Sequence, residues 1–225
     1  MDLDHAGPIG ALADDNRRAL YEYVVGEPDP VGREQAARAV EVPLHTASFH
    51  LDRLVSEGLL EVEFRRLTGR TGPGAGRPSK LYRRAEQAFA VSLPPRRYDL
   101  VGDILAEAVS RAADGAPLER TLTASAREEG LALGRAVSGM SEEPTLTAVA
   151  EVLAGQGYEA RIDEQVVTLR NCPFDTLARK HTDLVCGLNQ KFVQGVVDGM
   201  DRDDASACLE PEPGWCCVKV RPAAG

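Results

Sequence analysis

At 225 residues the chain is long for one domain and comfortable for two, and 43% hydrophobic with 27% charged residues is the make-up of a packed protein, which excludes a disordered chain. A net charge of -9 would argue against a polyanionic partner if spread evenly, but residues 1–98 hold 14 cations against 14 acids while residues 99–225 hold 12 against 21. No stretch approaches the roughly 18 apolar residues of a membrane span, and Met1-Asp2-Leu3-Asp4-His5 is acidic where a secretory signal is basic, so a cytoplasmic protein without a membrane partner is expected.

From Ala11 to Val25 the apolar residues Leu12, Ala19, Leu20, Tyr23 and Val24 fall at the spacing of one helical face, and the Gly26–Pro30 stretch ends that helix. A short alanine-rich helix is predicted over Arg33 to Val40. After the break at Val42-Pro43 a third helix runs from Leu44 to about Ser56, with Leu51, Leu54 and Val55 inward and Gly58 placed for a left-handed cap. Leu59 to Phe64 reads as a strand, Lys80 to Arg83 as its return, and the Gly/Pro-rich segment Thr68 to Ser79 as the hairpin tip.

Past Leu93-Pro94-Pro95, residues 98–139 read as helices broken at Gly115-Ala116-Pro117. Thr145 to Gln156 and Val185 to Met200 are further helices; Tyr158 to Ile162, Val166 to Arg170, Ala205 to Leu209 and Cys216 to Val220 are strands. The expected fold class is α+β, organised as a winged helix-turn-helix over 1–97, a helical dimerisation segment over 98–140 and a cysteine-bearing sensor domain over 141–225.

Two helices at a sharp turn followed by a glycine-tipped hairpin suit DNA, the second helix entering the major groove. Over Arg65 to Arg84 there are seven cations (Arg65, Arg66, Arg70, Arg77, Lys80, Arg83, Arg84) and no acid, which suits a wing that meets phosphates. The stretch TASFHLDRLVSEGLLEVEFRR followed by GAGRPSKLYR resembles the arsenic-repressor-like winged-helix regulators over about residues 11 to 84. That resemblance implies that His45, Thr46, Ser48, His50 and Arg53 carry base and phosphate contacts, and that Arg65, Arg66, Arg70, Arg77 and Lys80 grip the backbone of double-stranded DNA.

All five cysteines (Cys172, Cys186, Cys208, Cys216, Cys217) lie in the last 54 residues, a clustering that in a reducing compartment points to metal or redox chemistry. Their spacing is not that of a CxxC knuckle, so a fold must assemble them. NCPFDTLARKHTDLVCGLNQ and EPGWCCVKV resemble the Suf-type repressors of iron-sulfur cluster assembly, and Cys208, Gly214 and Cys216 also look like the glycine-turn cysteines of vinyl-reductase-type ligand domains. The resemblance implies a repressor that binds a palindromic operator as a homodimer and carries an iron-sulfur cluster, or alternatively zinc, on Cys172, Cys186 and Cys216. Met200 stands where the Suf-type pattern has a further cysteine, which leaves Cys208, Cys217 and His181 as candidates for the fourth ligand. Adjacent Cys216 and Cys217 should point to opposite faces of a strand, which favours Cys208. Two rival readings are a regulator that senses a small organic molecule or a partner without metal, and an enzyme with Cys172 or Cys186 as nucleophile and His181 as base.

Overall fold

The computed structural model describes residues 6–66, 78–139 and 143–223, which form two compact units, one within Leu3–Val91 and one within Ser92–Gly225. It is mixed α+β, with the helix-turn-helix in the first unit.

In the first unit the helix predicted from Ala11 is divided into α1 (Ala6–Ala11) and α2 (Asp15–Gly26). Asp14 causes the division: its backbone is extended and its carboxylate accepts the Arg17 amide hydrogen at 2.9 Å, capping α2. A two-residue strand absent from the sequence reading, β1 (Val31–Gly32), leads into α3 (Arg33–Ala39). The turn to α4 (Leu44–Ser56) closes when the Val42 amide reaches back to the Ala37 carbonyl at 3.0 Å, with Glu41 in the left-handed region at φ 57°. Gly58, at φ 74°, ends α4 as expected: its amide bonds the Val55 carbonyl, and the Leu59 amide bonds that of Leu54, each at 3.0 Å. β2 (Leu60–Arg65) and β3 (Ser79–Arg84) pair antiparallel with Val62 opposite Tyr82, and β1 adds to the other edge of β3. Leu20, Val24, Ala36, Ala47, Leu51, Leu54 and Tyr82 form the core beneath this sheet.

The second unit comprises α5 (Tyr98–Ala113), α6 (Leu118–Val137), α7 (Thr145–Gly155), β4 (Ala160–Asp163), β5 (Val166–Leu169), α8 (Asp175–Lys180), α9 (Thr182–Gly199), β6 (Ala205–Leu209) and β7 (Val218–Pro222). The strands make an antiparallel sheet in the order β4-β5-β7-β6. Residues 98–140, expected as a segment of their own, do not stand apart. Leu100, Val101 and Ile104 of α5 and Ala126 of α6 belong to the same core as Phe192 and Val196 of α9 and Val167 and Val220 of the sheet. These side chains are covered within their own unit, while Val109 and Leu118 of the same helices are exposed.

The contact between α6 and α9 is made backbone to backbone. Gly130 and Gly134 on α6 face Gly195 and Gly199 on α9, one turn apart on each helix. A Cβ on Gly130 would overlap the Phe192 carbonyl oxygen, one on Gly134 that of Val196, and one on Gly195 that of Arg127. Only glycine permits this approach. Gly130→Ala and Gly195→Ala are each expected to cost about 1–3 kcal/mol in urea unfolding, because the helices must separate and the core beneath them opens. Gly102→Ala, in α5 where an added methyl meets no atom, should instead stabilise by about 0.5–1 kcal/mol, and equal effects at all three positions would refute the close crossing.

Candidate nucleic-acid interface and thiol site

α4 presents two unlike faces. Ala47, His50, Leu51 and Leu54 point into the unit, while His45, Phe49, Asp52, Arg53 and Ser56 form the exposed stripe, with Thr46 and Ser48 half-buried at its margins. His50 was expected to read bases and does not belong to that stripe. It is only 7% exposed, its Nδ1 accepts the Arg17 Nε hydrogen at 3.3 Å, and its Nε2 lies 3.8 Å from the Asp14 carboxylate. The helical period explains the correction, because position 50 falls between Ala47 and Leu54 on the buried side. Ser48 turns its hydroxyl back to the Leu44 carbonyl at 2.9 Å, the local bond that serine adopts inside a helix. Arg53 pairs with Glu57 one turn on. The contacts implied by the resemblance leave out Phe49, which is 65% exposed at the middle of the stripe.

The wing is basic in sequence and partly neutralised in space. Arg83 pairs with Glu61 across the sheet at 2.7 Å, Arg65 with Glu63 along β2 at 2.8 Å, and Lys80 with Asp52 of α4. The Tyr82 hydroxyl also donates to Asp52 at 2.9 Å. Burial opposes ionisation of Asp52, but the Lys80 and Tyr82 hydrogen bonds outweigh it and hold the carboxyl below its ordinary range. Tyr82 is pushed up in turn, first by its own burial and then by the Asp52 charge. Exposed pairs of this kind contribute little to stability, so each of these cations can exchange its acid for a phosphate. Among the described residues Arg66 and Arg84 make no ion pair, while Arg70 and Arg77 lie outside the described residues.

Residues 12–63 match the family model of a helix-turn-helix domain. The match spans α2, the turn after α3, α4 and most of β2, and so covers the stripe just described. No curated protein and no solved structure matches the chain. The helix-turn-helix domain supports a DNA-binding transcription regulator, and no helix among the described residues is long and apolar enough to cross a membrane. The match ends before the second unit and lends no support to the likeness of its cysteines to Suf-type or vinyl-reductase-type domains.

Four of the five cysteines come together in the second unit. Cys172 lies between β5 and α8, Cys186 one turn into α9, and Cys216 and Cys217 where the chain enters β7. The Cys186 and Cys217 sulfurs are 3.1 Å apart, and Cys172 and Cys216 lie near enough for each thiol to shift the other's acidity. Cys208, favoured above for the fourth position, is elsewhere. It sits opposite Lys219 on the face of β6 away from the core, with the Ser206 hydroxyl 3.9 Å from its sulfur. Strand alternation does not govern Cys216 and Cys217, because β7 begins only at Val218. Cys217 occupies a bend, so its side chain does not obey the alternation and reaches α9. His181 is exposed at the junction of α8 and α9, and Met200 is a core residue.

A buried polar chain ends on this site. The Tyr158 hydroxyl donates to Asn189 Oδ1, and Asn189 Nδ2 donates to the Cys216 sulfur at 3.2 Å. Asn171, also buried, donates to the Gly157 and Pro95 carbonyls at 2.6 and 3.0 Å, while Arg96 donates to Asn171 Oδ1 and, at 3.3 Å, to the Cys172 carbonyl. Thus the loop carrying Cys172 is fixed from beneath. The interaction with Cys216 holds the Cys172 thiol below its ordinary value, while the same interaction and burial raise Cys216. Burial, then the Cys217 contact, push Cys186 up to about 12. As they stand the thiols form two pairs, and among the described residues no three His, Cys, Asp or Glu side chains make a group that could hold a metal ion.

Two expectations follow for the N-terminal unit. His50→Ala should destabilise it by about 1–3 kcal/mol in urea unfolding, by leaving Arg17 Nε without its acceptor and a void under α4, with little change in DNA sequence preference. Lost preference at unchanged stability would return His50 to the reading face. Asp52→Asn should tighten binding to any duplex in fluorescence anisotropy and steepen the dependence of log affinity on log salt by up to about 0.9, since Lys80 is released to a phosphate. An unaltered slope would take Lys80 out of the interface.

Proposed function

We propose that the chain is a homodimeric transcription repressor that binds a palindromic operator through α4 and the basic wing, and that the thiols of the second unit set its DNA affinity. The observation that carries this reading is the helix-turn-helix match together with the outward face of α4, whose polar and aromatic side chains stand free of the core beside a basic hairpin. Two-fold symmetry of a dimer would be mirrored in the operator.

Four thiols from three chain segments are, as a donor set, suited to a soft metal, and Cys172, Cys186, Cys216 and Cys217 would hold an iron-sulfur cluster or, alternatively, zinc. Such a group would supply a tie between the loop before α8, helix α9 and the start of β7 that is lost on oxidation or chelation. Asn189 would then hold the Cys216 sulfur by its N–H, with Tyr158 fixing the direction of the amide. A second reading is favoured by the 3.1 Å contact of Cys186 with Cys217: a metal-free dithiol, which a hydroperoxide oxidises to a disulfide with release of an alcohol and water.

Anaerobic purification, a visible absorption spectrum and metal analysis test these readings together. The Ser variants of Cys172, Cys186, Cys216 and Cys217 are each expected to lose bound iron or zinc, while Cys208→Ser retains it. Wild-type protein that is colourless and metal-free when prepared without oxygen, and that forms a Cys186–Cys217 disulfide with peroxide by mass spectrometry, would replace the metal reading by the dithiol. Operator affinity that responds to neither treatment would remove the thiols from regulation and leave the DNA-binding reading in place.

A further inference from the structure

Phe49 stands outside the core of its own unit. It occupies the centre of the exposed α4 stripe, one turn beyond His45 and one turn before Arg53, and 65% of its surface is open. The aromatic contact its ring makes among the described residues is an edge-on approach to His50 with centroids 5.3 Å apart. On a stripe otherwise made of His45, Asp52, Arg53 and Ser56, a large apolar ring is the side chain whose exposure costs most in water.

The charges around the ring define what covers it. Arg53, paired with Glu57, follows it on the same stripe, and the wing strand β3 brings Lys80 to Asp52 three residues further along α4, so two cations that can exchange their acids for phosphate lie beside the ring. An apolar protein surface would have to desolvate these cations, whereas a duplex meets them with phosphates. In the major groove the one apolar group on a base edge is the 5-methyl of thymine, and a phenyl ring is a side chain that recognises it. From this we infer that Phe49 is the specificity-determining residue of α4 and reads thymine 5-methyl groups in the major groove. The inference rests on the DNA-binding reading above and adds the chemistry that is read.

The test uses full-length protein and duplexes enriched from a random-sequence pool. In the enriched duplex each thymine is replaced in turn by deoxyuridine, which removes the methyl group and leaves base pairing intact. Wild-type protein is expected to lose about three- to fivefold in affinity at one or two thymines, the worth of one buried methyl. Phe49→Ala should bind the thymine duplex more weakly and lose nothing further at those positions, and Phe49→Leu should recover part of the difference. The ring is exposed, so an unchanged melting temperature of Phe49→Ala separates this result from misfolding. Enrichment of a preferred duplex whose affinity ignores every deoxyuridine, or an equal loss in wild type and Phe49→Ala, overturns the methyl reading alone. Failure to enrich any duplex overturns the DNA reading with it. A change in oligomeric state of Phe49→Ala without a change in DNA binding assigns the ring to a protein contact and also overturns the proposal.

Discussion

The second unit depends on the crossing of α6 and α9, where four glycines allow two backbones to touch. Dispersion falls steeply with distance, so helices in direct contact gain attraction along their whole line of approach, and side chains either side of that line close over it. α9 carries the consequences. Its outer face is held by α6, and Phe192, Val193, Val196 and Val197 are thereby directed into the core that the sheet completes. Asn189 and Cys186 lie on the N-terminal part of the same helix. A change in the crossing therefore moves both the thiol that meets Cys217 and the amide that meets Cys216.

The thiol site shows how burial and pairing act against each other. Cys216 is buried against Asn189 and Cys172, and its proton is held first by its interaction with the Cys172 sulfur and then by burial, to which the charge of a Cys172 thiolate adds. Cys172 gains from the same interaction and is the more acidic partner. Within this pair Cys172 is thus favoured as the anion and Cys216 as its donor, an arrangement common to thiol redox sites and to apo metal sites. Beneath it, hydrogen bonds from Arg96 to Asn171 and to the Cys172 carbonyl hold the loop that carries Cys172.

In the first unit the balance is electrostatic. A run of seven cations without an acid gives a strong positive field if only neighbours in sequence are counted. Folding brings Asp52, Glu61 and Glu63 against three of them. The field that remains is one of exchangeable pairs, which leaves phosphate as a competitor for each cation.

Local chemistry was legible in the sequence. The extent of α4, its cap at Gly58, the pairing of the two wing strands and the helix-turn-helix itself all follow from period, turn residues and strand composition, because each depends on contacts within a few residues. The division of the first helix at Asp14 had a visible signal, an N-cap residue before Arg17, that the apolar period outweighed. The period of Leu51 and Leu54 already puts position 50 on the buried side of α4, a signal that its polar type outweighed; tertiary structure alone decided that Arg17 of α2 is its partner. It also decided that Cys217 and not Cys208 joins Cys186, because a bend at residue 217 displaces the start of β7 and cancels the strand alternation. The glycines of α6 and α9 carry no periodic hydrophobic signal, and their purpose exists only where two distant helices meet. Sequence patterns record what a residue does to its own helix or strand, whereas a site built from three separated segments is fixed by the core that brings them together.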